Sequence, residues 1–141
     1  QHYLDTLPAD ERRRIIVLGA VDHQTKLDLL DAIDLLALPS RTDSFGIVFL
    51  EAWVYGKPVV AAQAWGVRTV VDAGQDGLLV PFGDVDALAA AFWTLADDPA
   101  LRRKLGEHGR AKVLAQHTWQ RKYAHIRQVY TQLSQEASAP P

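Results

Sequence analysis

The sequence predicts an α/β fold: a parallel sheet flanked by helices, followed by a helical segment. Three observations carry that prediction. Short continuous apolar runs at residues 15–18, 35–38, 59–62 and 78–80 have the length and composition of strands buried on both faces. Stretches with helical spacing alternate with these runs, which makes strand–helix–strand units whose crossovers are right-handed. From Asp84 to about Leu133 the pattern is helical throughout, with no further strand run. The 141 residues suffice for one domain with a proper core. The expected domain covers residues 1–135, its sheet part about 14–83 and its helical part about 84–134, with a disordered tail at 135–141.

The elements follow in order. Residues 1–14 are polar and read as a short helix or loose segment, and the basic triplet Arg12-Arg13-Arg14 reads as a solvated face. Ile15-Ile16-Val17-Leu18 reads as the first strand. Gly19 permits a tight turn into a helix that starts at Asp22 and runs to about Ile33, with Leu27, Leu30 and Ile33 on one face. A second strand ends at Leu38, closed by Pro39-Ser40, and a helix spans about residues 46–55 before the strand at 59–62. Residues 67–73 read as a short helix ended by Gly74, and Asp76-Gly77 as the turn into the last strand. Asp84 is a natural N-cap. Asp97-Asp98-Pro99 ends one helix and opens the next, with Pro99 in its first turn. On that next helix Leu101, Leu105, Val113 and Leu114 mark the inner face, with Gly106 and Gly109 as weak points. Thr118 caps a final helix whose stripe of Trp119, Tyr123, Ile126 and Tyr130 reads as core.

The helix at 46–55 is apolar on every side, the signature of a buried helix, and Glu51 is its only charged residue. A buried carboxylate needs a partner, and Glu51 either has one or reaches solvent or a backbone donor. Asp43-Ser44-Phe45-Gly46 places two cap-formers and a glycine at the helix start. Free amide groups there form an anion site, a glycine lets a ligand come close, and the loop lies at the carboxyl end of a parallel strand, where ligands of such sheets bind. Ordinary capping by Ser44 or Asp43 accounts for the polar residues but does not ask for Gly46. Glu51 lies about 7.5 Å beyond Gly46 along the axis. Carboxylates at both places, Asp43 and Glu51, accept hydrogen bonds from diols well.

Other chemistry is missing. The chain has no dinucleotide-binding glycine fingerprint, no P-loop (Gly56-Lys57 runs into Pro58), no nucleophile elbow and no metal-ligand spacing among its five histidines. Asp84-Val85-Asp86 has the outline of a metal-binding pair, but capping explains both carboxylates. With no cysteine there is no disulfide framework. A net charge of −2 gives no electrostatic case for nucleic acid, and no apolar run is long enough to span a membrane. No metal or cofactor is expected.

The pattern Pro39-Ser40, Asp43-Ser44-Phe45-Gly46, Leu50-Glu51-Ala52, Gly56-Lys57-Pro58-Val59-Val60, continued by Gly74, Gly77 and Pro81, resembles the region of two spaced carboxylates in retaining glycosyltransferases of family four, and the match covers nearly the whole chain. The resemblance implies the C-terminal, Rossmann-like donor-binding domain of the two-domain GT-B fold. It implies metal-independent transfer of a hexosyl group from a nucleotide diphosphate sugar to an unknown acceptor. Asp43 is then the candidate catalytic residue, set against the sugar. Ser44, Phe45, Gly46, Ile47 and Val48 hold the donor at the helix start, Glu51 meets the ribose, and Gly19 to Val21 line the base pocket. Three positions depart from the family pattern: Asp43 replaces a Glu, Trp65 replaces the first of a glycine pair, and Thr69 stands where a Glu is usual. Trp65 either packs or covers a ligand, with packing the expected outcome.

The family's glycine-rich loop, its Arg/Lys pair and its acceptor-binding N-terminal domain have no counterpart here, so the chain is expected to be the later part of a donor domain. It is expected to be inactive alone, with an open sheet edge that invites dimerisation. The absence of Met at position 1 fits a fragment or processed chain. The expected setting is cytoplasmic, or the inner membrane surface for the parent protein. The alternative is a non-catalytic glycosyltransferase-like binding or assembly module.

Overall fold

A computed structural model describes residues 3–137. The helices are α1 (Ala9–Arg12), α2 (His23–Ala32), α3 (Ile47–Val54), α4 (Val85–Asp97), α5 (Pro99–Gln116) and α6 (Trp119–Ala137). The strands are β1 (Leu36–Leu38), β2 (Val59–Ala62) and β3 (Gly77–Val80), with single 3-10 turns at Leu4–Thr6 and Val67–Thr69. The strands form a parallel sheet in the order β1-β2-β3, with Leu36 beside Val59 and Val60 beside Leu78. This is the predicted α/β architecture, and α3 is the crossover between β1 and β2.

The central strand β2 is buried at every residue. Alternation sends Val59 and Ala61 to one side, where they join Phe49, Ala52, Trp53, Val67, Val71 and Val113, and Val60 to the other, with Val80, Ala91, Leu95 and Leu105. Helices α3 and α4 therefore cover opposite faces, and α5 reaches both. Capping follows the sequence: Asp22, Asp84 and Asp98 each accept a backbone N–H three residues on, at 2.8 Å. Arg102 donates to the last carbonyls of α4, Leu95 and Ala96, and so holds its C-terminal end.

Several expectations are corrected. Residues 15–18 form no strand or other regular element, and Ile16 is 80% exposed. An apolar run becomes a strand only beside another strand, and no described strand flanks this one. Helix α3 is not buried all round: Phe49, Ala52 and Trp53 face inward, while Ile47 and Val54 are exposed. The helix at 67–73 shrinks to the 3-10 turn Val67–Thr69, because the Asp76 carboxylate takes the Asp72 N–H (2.9 Å) and draws the chain away from helix.

Gly106 and Gly109 are not weak points of α5 but its points of closest approach. A Cβ on Gly106 would overlap the Gly56 carbonyl, and one on Gly109 would overlap the Trp53 ring. Leu105, Gly109 and Val113 share one inward stripe at intervals of four, which leaves Leu114 turned outward and exposed. The aromatic stripe of α6 is also not core: Trp119, Tyr123, Ile126 and Tyr130 are all exposed, because no described element lies along that face. Helix α6 extends to Ala137 rather than fraying after Ser134, and the rest of the expected tail lies outside the described residues. Among the described residues no helix is long and apolar enough to cross a membrane.

Candidate functional site

Three loops leave the carboxyl edge of the parallel sheet: residues 39–46 after β1, 63–66 after β2 and 81–84 after β3. The first two are pressed together. A Cβ on Gly66 would overlap the backbone carbonyls of Asp43 and Ser44, so only glycine lets the second loop lie flat on the first. Thr69 secures that contact from behind, its hydroxyl donating to the Gly66 carbonyl at 2.7 Å. Asp43 is half-buried, and its Oδ1 accepts the Phe45 N–H at 3.0 Å in a local turn that fixes the loop.

Between these loops opens a groove of about 480 Å³ lined by Arg41, Thr42, Asp43, Ser44 and Trp65. Trp65 is 88% exposed, so it does not pack into the core as expected but stands at the rim of the groove.

The start of α3 adjoins the same loop. Gly46 is the N-cap, with φ +75° and no side-chain cap, which leaves the first-turn N–H groups of Ile47 and Val48 to an outside acceptor. Its glycine is demanded twice, by the positive φ and by the Phe49 ring that occupies the place of a Cβ. Ser44 and Ile47 are exposed and Val48 is half-buried. Phe45 lies edge-on to His117, with ring centroids 5.9 Å apart. His117 has a buried Nδ1 without a partner among the described residues, and burial, helped by Lys122 and Lys112, lowers its pKa below the usual histidine value.

Just over one turn into α3, Glu51 has a partner the sequence did not reveal: Lys26 Nζ donates to its Oε1 at 2.7 Å. Lys26 belongs to the first turns of α2, and the Gly19–Val21 loop leads directly into that helix. The structure thus brings the Lys26 ammonium of α2 to the middle of α3. Gly19 has φ +66° and open space where a Cβ would stand, and Val21 is exposed. A signal for Lys26 was present, since a lone carboxylate on an apolar helix asks for a cation, but pairing across 25 positions cannot be read from spacing.

The underside of α3 is fixed by Trp53, whose Nε1–H donates to the buried Asp76 carbonyl at 2.8 Å. Lys112 lies 5.2 Å from the centre of the Trp53 ring and donates to both Asp72 and Asp76. Burial raises the pKa of Asp76, against the opposing pull of Lys112. Burial works to lower that of Lys112, but Asp72 and Asp76 outweigh it and the net direction is upward. Asp84 is occupied as a helix cap by the Ala87 N–H, and among the described residues no His, Cys, Asp and Glu cluster has metal-ligating geometry.

Comparison with known proteins matches this architecture. The chain is 36% identical over 124 residues to a GDP-mannose-dependent monoacylated alpha-(1-6)-phosphatidylinositol monomannoside mannosyltransferase of Corynebacterium glutamicum, covering 83% of the chain and 32% of that protein. Sucrose-phosphate synthase from Thermosynechococcus elongatus superposes with a TM-score of 0.80 at 34% identity, over 90% of this chain and 33% of that one. Anabaena HepE, solved in complex with UDP-glucose, superposes at 0.57 with 36% identity, over 59% of this chain and 23% of that one. The chain thus spans about a third or less of the length of these relatives. Residues 9–112 match the family described as glycosyl transferases group 1, and the chain belongs to that family.

Proposed function

We propose that the chain is the donor-binding part of a retaining, metal-independent glycosyltransferase that moves a hexosyl group from a nucleotide diphosphate sugar to an acceptor. The observation that carries this reading is the left-handed Gly46 cap, which leaves the first amide groups of α3 open beside the groove at the sheet's carboxyl edge. The diphosphate takes those amides, the sugar lies in the groove against Asp43, and the ribose diol meets Glu51. The base lies towards Gly19 and Val21. The exposed indole of Trp65 supplies a flat apolar cover for the sugar. HepE, solved with UDP-glucose, supports a nucleotide-sugar donor for this family member.

Binding is expected without turnover by the chain alone. Transfer needs positive charge on the leaving diphosphate and an acceptor held against the anomeric carbon. Arg41 is the cation in the groove lining.

The test is titration of UDP and GDP, with uridine and guanosine as controls, followed by backbone amide shifts. The amides of Ile47 and Val48 should move with the diphosphates and stay still with the nucleosides. Shifts confined to another part of the chain would place the site elsewhere.

A second reading, a non-catalytic binding module, draws on Thr69. Where the resemblance expects a Glu, this hydroxyl is engaged with the Gly66 carbonyl and offers no charge to a ligand. Donor turnover by the parent protein, lost on Asp43→Ala, would remove this alternative.

A further inference from the structure

Glu51 is the only ionisable side chain of α3, and nothing polar on its own helix can fix its rotamer. Its orientation is set from α2. Lys26 Nζ holds Oε1 at 2.7 Å, with both side chains about one-third exposed (39% and 33%). Among the described residues only Oε1 has a partner, which leaves Oε2 to a ligand.

We propose that Lys26 is the positioning residue of this site. It clamps one oxygen of Glu51 so that the other is presented to the ribose diol. The proposal rests on the reading of Glu51 as the diol acceptor. It gives the pair a meaning that a partly exposed ion pair lacks on stability grounds, because such pairs contribute little to folding. It also couples the loop at Gly19 and Val21 to the diol site, since that loop ends where the helix bearing Lys26 begins.

The experiment is calorimetric titration of UDP and GDP, and of their 2′,3′-dideoxy forms, into the wild-type chain. The same titrations are run on Lys26→Met, Lys26→Arg, Glu51→Gln and the Lys26→Met/Glu51→Gln double variant. Lys26→Met should weaken the ribonucleotide about 10-fold, the scale of one charge-assisted hydrogen bond, and leave the dideoxy form unchanged. Lys26→Arg should restore most of that loss. In the Glu51→Gln background Lys26→Met should have no further effect, the mark of a residue that acts through another. The melting temperature of Lys26→Met should stay near that of the wild type.

Equal weakening of ribo and dideoxy forms by Lys26→Met, or no weakening at all, would overturn the proposal while leaving Glu51 as the diol acceptor. A wild-type chain that does not distinguish the two forms would remove the diol reading, and the role of Lys26 with it.

Discussion

Gly66 lies on the carbonyl of Asp43 with no room for a single carbon between them. Loops that follow two neighbouring strands are thereby locked into one surface, the floor of the groove. Gly66→Ala should force them apart. Overpacking of this kind costs about 1–3 kcal/mol, and nucleotide-sugar affinity should fall with it. Thermal melting and donor titration of the same variant check both. A variant that melts and binds like the wild type would show that the loops are not coupled.

Gly46 calls for a different expectation. With φ +75° and the Phe49 ring in the place of a Cβ, no L-residue fits there without strain. Gly46→Ala should cost about 1–2 kcal/mol from the left-handed backbone alone, and Gly46→Val more. Loss of binding in either variant therefore reports on the fold as well as on the ligand. Amide shifts of Ile47 and Val48 in the unmodified chain are the cleaner reporter. Unchanged melting of Gly46→Ala would contradict the strain.

Trp53 and Gly109 should behave as one unit. Trp53→Phe strips the buried Asp76 carbonyl of its donor, a loss of about 1–3 kcal/mol. Gly109→Ala drives a methyl into the same ring and should cost a similar about 1–3 kcal/mol. Denaturant unfolding of both single variants and the double should give a sum larger than the double's loss, because the sites touch. Strict additivity would show that the overlap is relieved elsewhere.

The α/β class, the order of most elements and the Asp84 cap were legible in the sequence, as were the helix starts at Asp22 and Asp98, because alternation, apolar runs and capping are local properties. The run at 15–18 misled for a physical reason: strand propensity is local but strand pairing is not, and no strand among the described residues pairs with it. Gly106 and Gly109 misled in the opposite direction, since a glycine that weakens a helix alone is the residue that lets two elements touch. At the site, Asp43 and Gly46 could be placed from the pattern of a loop ahead of a helix. Lys26 could not, because its partner lies on another helix, and Trp65 is exposed for reasons that only the fold of its loop reveals.

His117 makes the stability depend on pH in a defined window. Burial holds its pKa below the usual value of 6.5, so the folded chain resists protonation that the unfolded chain accepts. Its contribution is present above pH 6.5 and is lost as the pH falls from there towards the folded pKa. His117→Phe should flatten that part of the profile while keeping the edge-on contact with Phe45. Melting temperatures between pH 5 and 8 test this. An identical acid-side slope in the variant would assign the loss to other groups.

The central claim is that the α3 end of the sheet holds the donor, with Glu51 on the ribose. Its most direct test is saturation-transfer NMR of a panel of nucleotide diphosphate sugars against the wild-type chain and Glu51→Gln, with the affinity of the best ligand measured for both. The account predicts strong transfer to the ribose protons in the wild type and a loss of about 1–2 kcal/mol in affinity on Glu51→Gln, with the melting temperature retained. Equal affinity of the two proteins, or no transfer from any sugar nucleotide in the panel, would contradict it.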